Sequence, residues 1–399
     1  MVAATQKATH EQTKNHNKRL ILKTIYDQVQ TSRADIARMT GLTRPTVSSN
    51  VAELIEEELV EEVGQGQSEG GKPPILLRVV DDSRHLIAID IADSEFQGAV
   101  VDLRGRIIHR ECVPVNDGDG EATLQLVYEL GDRLITTATK PLLGIGIGAP
   151  GLIDAQRGIV RKAVNLDWQD LPLRDWLKAR YELPVHMAND GHVAALAEYI
   201  FGQHRKVPNL VILKVGRGVI AGIVLNGRLH YGDGSGAGEI GHVRVVEGGL
   251  LCRCGHWGCL ETVTNSRAIV ERARSIAQAD PNSTLHRFAT KLEAINIEAV
   301  LQAFQAGDET LQPIVTELGC YLGIAVAHLV GVLNVQCVLI CGNVARFGQP
   351  LLEPIRQEMR QRSLAMLADQ TYVGLSSLGQ DIVLQGAAAL LLANELGLV

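Results

Sequence analysis

The stretch Gly238–Glu261 reads GEIGHVRVVEGGLLCRCGHWGCLE. Its cysteines, Cys252, Cys254 and Cys259, have the spacing C-x-C-x4-C, and His242 lies ten residues before the first of them. Three thiolates and one imidazole complete a tetrahedral shell for Zn²⁺, and a closed shell of this kind holds loops together and does not activate water. The sequence therefore predicts a structural zinc site formed by these four residues.

Two alternatives concern the same stretch. The cysteines could be free thiols packed as small apolar side chains, but three of them within eight residues, among glycines, disfavour this. His256 is a rival for the fourth ligand position. We prefer His242 because Glu239 and Glu261 flank the cluster: if the metal binds one ring nitrogen of His242, the other can contact a ligand hydroxyl. Two carboxylates and an imidazole suit a polyol.

Composition places the chain among soluble proteins. Its 399 residues suffice for about three compact units, and 46% hydrophobic residues with 40 glycines indicate a turn-rich α/β protein. We expect no membrane partner, because no apolar run reaches about 18 residues and the polar start is not a signal peptide. Seven cysteines, an odd number, indicate a reducing, cytoplasmic location. Those outside the cluster are expected in the core: Cys112, Cys320, Cys337 and Cys341.

The first fifty residues are basic although the net charge is −7. They contain eight lysines and arginines against three acidic residues, in this order: Lys7, Glu11, Lys14, Lys18, Arg19, Lys23, Asp27, Arg33, Asp35, Arg38 and Arg44. Such local asymmetry is typical of a segment that contacts nucleic acid.

Three short helices are predicted in this basic region. Ser32 and Asp35 form a cap for the second helix, Gly41 ends it, and Thr43 caps the third. A hairpin with a glycine-rich tip, GQGQSEGGKPP, follows, so residues 1–84 are interpreted as a winged helix-turn-helix domain. The alternative is a three-helix bundle used for oligomerisation. In the DNA-binding interpretation, the start of the third helix reads the major groove with Arg44, Thr46, Ser48, Ser49 and Asn50.

The sequence pattern of residues 85–399 predicts an internal duplication. The stretch LIAIDIADSEFQGAVVDLRGRI resembles LVILKVGRGVIAGIVLNGRL, which predicts two similar α/β lobes around a cleft. Between the copies, Asn189 and Asp190 stand where a strand ends and an alanine-rich helix begins. Asp190 is either a general base for a sugar hydroxyl or, together with Asn189, simply a helix cap.

Several motifs together resemble the ROK family of sugar kinases and sugar-responsive repressors. They are AND at 188–190, the helix ending in Glu198, GEIGH, and CRCGHWGCLE, and the resemblance spans residues 86–399. The winged helix resembles that of the repressor branch. The resemblance implies a two-lobed actin-like, hexokinase-like (ribonuclease H-like) ATPase fold. It also implies the zinc ligands named above and a set of sugar contacts: Asn189, Asp190, Glu239, His242 and Glu261.

The phosphate-binding motifs of the kinases are altered. Where those kinases carry Asp-x-Gly-Gly-Thr, residues 90–94 read DIADS, so Asp93 brings a carboxylate where backbone amides would approach phosphate. The second glycine turn reads GRGVIAG at 216–222, with Ile220 in place of a glycine, and the turn at Gly342 has fewer glycines. In the second turn, Arg217 is the one cation that can still attract phosphate. We expect sugar binding without phosphoryl transfer, and Asp190 as a vestigial base.

The sequence as a whole therefore predicts a regulator and not an enzyme. We expect a repressor of carbohydrate uptake or catabolism genes that binds operator DNA, responds to a sugar or sugar derivative, and acts as a homodimer or homotetramer. The alternative is a glucokinase-like, ATP-dependent sugar kinase with an added DNA-binding domain. A third possibility is a module that recruits another protein.

Overall fold

The computed structural model describes residues 9–67, 73–91, 95–115 and 120–398, apart from the side chains of His10 and Asn165. Its first three helices are α1 (His10–Gln28), α2 (Arg33–Thr40) and α3 (Arg44–Glu56). The predicted caps are confirmed: the Ser32 side chain accepts from the backbone of Asp35, Thr43 accepts from Thr46, and Gly41 ends α2 with a φ of 71°. Such caps satisfy backbone N–H groups that a helix leaves unpaired.

A small sheet completes the winged helix. Its strands are β1 (Thr31–Ser32), β2 (Val60–Gln65) and β3 (Ile75–Val79), and β3 pairs antiparallel with both others. The hairpin β2–β3 is the predicted wing. Residues 68–72, at the predicted tip, lie outside the described part of the chain. The alternative of a bare helical bundle is therefore wrong.

The winged helix and the large unit share one apolar core. Ile21 and Ile25 of α1 belong to the same buried cluster as Leu86 and Leu391 of the large unit. Burial of this kind contributes roughly 25 cal/mol per Å² of apolar area. The predicted boundary after residue 84 falls in the turn that leads out of β3 and stays a prediction.

A polar contact beside this core holds α1 against the large unit. Arg104 has its guanidinium 4.1 Å from the ring centre of Tyr26, donates to the Tyr26 carbonyl at 2.8 Å and pairs with Asp81 at 2.8 Å. The Tyr26 hydroxyl donates to the carbonyl of Leu103 at 2.8 Å. Because burial raises the pKa of Tyr26 to about 12, this hydroxyl keeps its proton and remains a donor.

The large unit has two five-stranded sheets of the same topology. In the first, the strand order is β11-β7-β4-β5-β6, and in the second it is β14-β13-β12-β15-β16. In both, an antiparallel meander continues into two parallel strands, which confirms the predicted duplication. The strands are β4 (His85–Asp90), β5 (Glu95–Val101), β6 (Ile107–Pro114), β7 (Leu142–Ala149), β8 (Leu152–Asp154), β9 (Ile159–Ala163), β10 (Trp168–Leu171), β11 (Val185–Asn189), β12 (Leu210–Val215), β13 (Val219–Leu225), β14 (Arg228–Leu229), β15 (Cys337–Cys341) and β16 (Tyr372–Leu375).

Helices cover these sheets, and two of them connect the lobes. The helix that follows β11 packs on β13 of the second sheet, and the last α-helix packs on β7 and β4 of the first. The helices are α4 (Gly120–Thr137), α5 (Leu173–Tyr181), α6 (Asp190–Phe201), α7 (Glu261–Thr264), α8 (Ser266–Ala279), α9 (Leu285–Phe288), α10 (Ile297–Gln305), α11 (Gln312–Leu333), α12 (Gln349–Arg362), α13 (Ala365–Gln370) and α14 (Ile382–Leu391), with a π-helical turn at Leu392–Leu396.

A long apolar helical stretch packs against the protein, and the cysteines outside the cluster differ in their exposure. Within the described residues, one helical stretch, Glu309–Leu333, is long and apolar enough to cross a membrane, but 61% of its apolar window is buried against the protein, as in a core helix. Cys112 was expected in the core and is exposed, because β6 is an edge strand whose residues alternate between the sheet and solvent. Cys337 and Cys341 are buried as expected, and Cys320 is half-buried.

We predict that Arg104→Gln lowers the free energy of unfolding by about 1–3 kcal/mol, because Asp81 and the Tyr26 carbonyl both lose a charged donor. Chemical denaturation monitored by circular dichroism measures this change. Arg157→Gln is the control, because Arg157 is 71% exposed and its guanidinium makes only a long contact, 4.0 Å, with the Asp154 carboxylate. Equal losses in the two variants would contradict a stabilising role for the Arg104 contact.

Candidate functional site

Asn189 and Asp190 lie where β11 meets α6. Asn189 is the helix cap: its Oδ1 accepts from the backbone N–H of Gly191 at 2.7 Å, and its Nδ2 donates to the Gly151 carbonyl at 2.8 Å. Asp190 is the first residue of α6, and both side chains are buried. The two interpretations of this pair are therefore compatible, because Asn189 fixes the turn that holds Asp190 at the cleft.

Both oxygens of the Asp190 carboxylate have a donor. Its Oδ2 lies 2.7 Å from the Nζ of Lys214, and its Oδ1 accepts from the Gly191 N–H at 3.0 Å. The side chains of Asp190 and Lys214 are only 10% and 13% exposed, so solvent screens this ion pair weakly. Lys214 belongs to β12 of the second sheet. Sequence analysis missed it, although a single lysine in the apolar strand LVILKV was a signal.

Glu239 and Glu261 face the same region from the second lobe. Gly238 has a φ of 99°, and a side chain there would collide with the Ala221 carbonyl, so this glycine lets the chain run close to β13 just before Glu239. Glu261 begins α7 and accepts from the Val219 N–H at 3.1 Å.

Burial raises the pKa of both glutamates, His242 opposes the rise, and the charge of Asp190 adds to it. The three carboxylates and His242 therefore share one electrostatic environment. Because a sugar presents several hydroxyl donors, a site rich in carboxylates can hydrogen-bond it without any further cation.

His242 links the two glutamates to the cysteines. The ligand atoms of His242, Cys252, Cys254 and Cys259 all lie within 4.8 Å of one another, a spacing compatible with one metal ion. The Nδ1 of His242 is 3.6 Å from the Cys252 sulfur, and its Nε2 is 3.7 Å from Glu239. One ring nitrogen therefore faces the cluster and the other faces the cleft.

The cysteine loop is preorganised for a metal. Gly255 and Gly258, with φ of 92° and 75°, form its tight turns. Burial would raise the pKa of Cys254, but hydrogen bonds from His256, Cys252 and Cys259 outweigh it and lower the value to about 6. This lowering favours the thiolate, the form that binds metals. His256, the rival ligand, lies 3.5 Å from the Cys254 sulfur but outside the four-atom cluster.

A cavity of about 1050 Å³ opens between the lobes and is lined, on the side of the expected phosphate loops, by Asp90, Lys214, Gly216, Arg217 and Gly342. Ile220, the altered residue of the second glycine turn, is buried. It packs closely on Gly191: a Cβ added to that glycine would lie 2.6 Å from the Cγ2 of Ile220. Asp93, the altered residue of the first loop, lies outside the described residues.

Four of the five predicted DNA-binding residues, all at the start of α3, are at least partly exposed to solvent. Arg44, Ser48 and Ser49 are exposed and Thr46 is half-buried, whereas Asn50 is only 4% exposed. Asn50 donates from Nδ2 to the Thr46 carbonyl at 2.8 Å and follows Val47 by three positions, which turns it towards the core. It is therefore not available to DNA in this conformation.

Comparison with known proteins identifies both parts of the chain. Residues 86–394 match the ROK family, and residues 14–61 match the winged helix-turn-helix DNA-binding family. The chain belongs to the ROK family. This ROK protein is 33% identical to the xylose repressor of Caldicellulosiruptor bescii over 97% of its own length and 98% of the repressor.

Solved structures give the same result. A ROK family transcriptional regulator described as a homologue of the Escherichia coli Mlc protein superposes with a TM-score of 0.82, at 28% identity, over 97% of this chain and 98% of the regulator. A ROK glucokinase from Streptomyces griseus, solved with glucose and AMPPNP, superposes with a TM-score of 0.71 at 30% identity, over 77% of this chain and 98% of the kinase. The expected fold of this ROK protein is confirmed: a winged helix followed by the two-lobed kinase fold.

The cysteine cluster predicts that the purified ROK protein contains about one tetrahedrally bound dication per chain. Cys252→Ser should lose the metal and lower the free energy of unfolding by about 2–4 kcal/mol. Elemental analysis and thermal unfolding measure the two effects. Cys112→Ser is the matched control, because Cys112 is exposed and outside the cluster. Full metal content in the Cys252 variant would contradict the assignment.

We predict that the buried His192 makes the folded protein less stable in mild acid. It lies on α6 and donates from Nε2 to the Ala237 carbonyl at 2.9 Å, and burial lowers its pKa below the usual 6.5. Below about pH 6.5 the unfolded chain binds this proton and the folded chain does not, so the contribution present above that pH is lost as the pH falls. Urea unfolding at pH 7.5 and 5.5 should show a smaller pH effect in His192→Gln. An unchanged pH effect would contradict this role.

Proposed function

We propose that this protein is a sugar-responsive transcriptional repressor of carbohydrate uptake or catabolism genes. Its winged helix binds operator DNA, and a sugar binds between the lobes of the ROK unit. The observation that supports this most directly is the shared core: α1 of the winged helix packs in the same apolar cluster as β4 and α14 of the large unit. A change in lobe arrangement therefore reaches the DNA-binding unit through packed side chains.

A polar connection supports the same proposal. His186 lies on β11, three residues before Asn189, and its Nε2 is 2.6 Å from the carboxylate of Glu395 in the terminal π-helical turn. Arg19 of α1 donates to the carbonyl oxygens of Asn394 and Glu395 at 3.2 and 3.3 Å. The strand that ends at the candidate sugar site is thus connected to the first helix of the winged helix.

The proposed sugar contacts are Asn189, Asp190, Glu239, His242 and Glu261. Asn189 acts through the turn, since both ends of its amide are engaged by the backbone. The proposed metal is a structural Zn²⁺ bound by His242, Cys252, Cys254 and Cys259, because four N and S ligands suit zinc and leave no open position. It would orient His242 so that the second ring nitrogen faces the sugar.

We further propose that the protein is not a kinase. A general base must reach the hydroxyl that it deprotonates, and here both oxygens of Asp190 already have donors. The altered glycine turns, including the expected alteration at Asp93, favour loss of phosphate binding. The glucokinase-like alternative accounts for only 77% of the chain, whereas the repressor accounts for 97%. ATP-dependent phosphorylation of any sugar at about 1 s⁻¹ or faster would contradict this proposal.

Operator recognition is proposed for Arg44, Ser48 and Ser49, which are exposed, and for the half-buried Thr46. The protein is expected to act in the cytoplasm as a homodimer or homotetramer, because two recognition helices are needed to contact half-sites about 34–36 Å apart. Sugar binding would change the spacing of the two winged helices and release the operator. A tenfold release requires a coupling free energy of about 1.4 kcal/mol.

Two variants test whether operator binding and sugar binding depend on different residues. Arg44→Ala should weaken operator binding by about 1–3 kcal/mol without changing sugar affinity, because it removes a contact to a base or phosphate. Asp190→Asn should weaken sugar binding by tenfold or more, since about 1.5–3 kcal/mol is lost with a charged acceptor, and should leave operator affinity without sugar unchanged. Fluorescence anisotropy with operator DNA and calorimetry with a sugar panel measure both.

The control for DNA binding is Arg38→Ala, because Arg38 is 79% exposed on α2, outside the recognition helix. Operator affinity that is independent of every sugar in the panel would contradict the proposed response. Equal effects of the Arg38 and Arg44 variants would contradict the assignment of α3 as the recognition helix.

A further inference from the structure

We propose that Lys214 makes the sugar site selective for a pentose in its pyranose form and against the corresponding hexose. This inference rests on the proposed sugar site and adds the class of sugar to it. The observation behind it is the buried ion pair between Lys214 and Asp190, whose partners are 2.7 Å apart.

Each oxygen of the Asp190 carboxylate already has one donor, so a sugar hydroxyl can reach only the remaining lone pairs. Its Oδ1 accepts from the N–H of Gly191, and its Oδ2 faces the ammonium of Lys214. In a sugar kinase with this fold, a carboxylate in this position must lie about 2.6–3.2 Å from the hydroxyl that accepts the phosphoryl group. For glucose that group is the exocyclic primary hydroxyl. In this protein the ammonium of Lys214 lies at that distance from the carboxylate.

A hexose would therefore compete with Lys214 for the space in front of Asp190. Displacing the ammonium would leave a buried carboxylate without a cation, which is strongly unfavourable. D-xylose has the same ring hydroxyls as D-glucose but no exocyclic CH2OH group, so it can bind the ring-facing carboxylates while Lys214 stays in place. The group that glucose has and xylose lacks would thus need the space that Lys214 occupies.

The backbone around Lys214 restricts its movement. Lys214 pairs with Ile220 of β13 on one side and with Cys341 of β15 on the other, so its strand is in the middle of the second sheet. The open direction is the cavity between the lobes, which Lys214 also lines. An ammonium that moved there would again leave Asp190 unpaired.

The charge of the site also determines what kind of pentose fits. Glu239 and Glu261 add two further carboxylates, close enough to Asp190 for its charge to act on both. An acidic or phosphorylated sugar would meet three carboxylates for one lysine. The site therefore favours a neutral pentose over an anionic derivative.

Calorimetry with D-xylose and D-glucose tests the inference on the full-length protein. We expect the unmodified protein to bind xylose at least about tenfold more tightly than glucose, the low end of discrimination by one carbon group. Lys214→Met removes the ammonium and shortens the side chain by one atom, and it should reduce this ratio to about threefold or less. Lys214→Arg keeps the cation and should keep the preference.

Arg217→Met is the matched control, because Arg217 lines the same cavity and the structure shows no contact between it and Asp190. It should leave the ratio unchanged. Glucose binding as tight as xylose binding in the unmodified protein would overturn the inference, and this comparison needs no variant to fold. An unchanged ratio in a folded Lys214→Met protein would also overturn it.

These outcomes differ from failure of the proposed function. A protein that binds operator DNA but no sugar of either class would contradict the proposed sugar response itself. A protein whose operator affinity responds equally to both sugars would keep the proposed response and remove only the role of Lys214.

Discussion

Three carboxylates lie close together in the partly buried cleft, and the balance of their charge governs the rest of the site. Asp190 is neutralised by Lys214 at 2.7 Å, whereas Glu239 and Glu261 have raised pKa values and face His242. A dication on the cysteines would bring further positive charge to His242. Sugar hydroxyls would supply the remaining donors. Charge balance is thus consistent with the cysteine cluster, the lysine and the proposed sugar contacts lying together.

The same residues are connected to the DNA-binding unit by two routes. One is apolar: α1 of the winged helix packs with β4 and α14 in a single core. The other is polar and runs from β11 through His186 and Glu395 to the backbone contacts of Arg19. Because packed cores do not deform continuously, movement of the first lobe is expected to carry the winged helix with it.

The sequence predicted those features of the structure that depend on short stretches of the chain. The caps at Ser32 and Thr43, the cysteine spacing and the duplicated strand pattern all concern residues close in sequence, and the structure has them as expected. Contacts distant in sequence were not predictable in this way. Lys214 meets Asp190 across 24 residues, and only the tertiary fold turns a lysine in an apolar strand towards a carboxylate.

Helical periodicity alone could have indicated that Asn50, one of the predicted DNA contacts, lies on the buried face of α3. Asn50 follows Val47 by three positions and precedes Leu54 by four, so it shares their buried face, although its chemistry suits base reading.

The hydrogen bonds between α1 and the carboxyl-terminal segment are weak enough to rearrange when a sugar binds. A tenfold change in operator affinity needs only about 1.4 kcal/mol, and a single hydrogen bond contributes about 0.5–1.5 kcal/mol net. The bonds from Arg19 and Lys23 to the carboxyl-terminal segment, at 3.2 to 3.3 Å, are of this size and partly exposed. Rearranging one or two of them would therefore be enough, while the shared apolar core keeps the winged helix folded and attached.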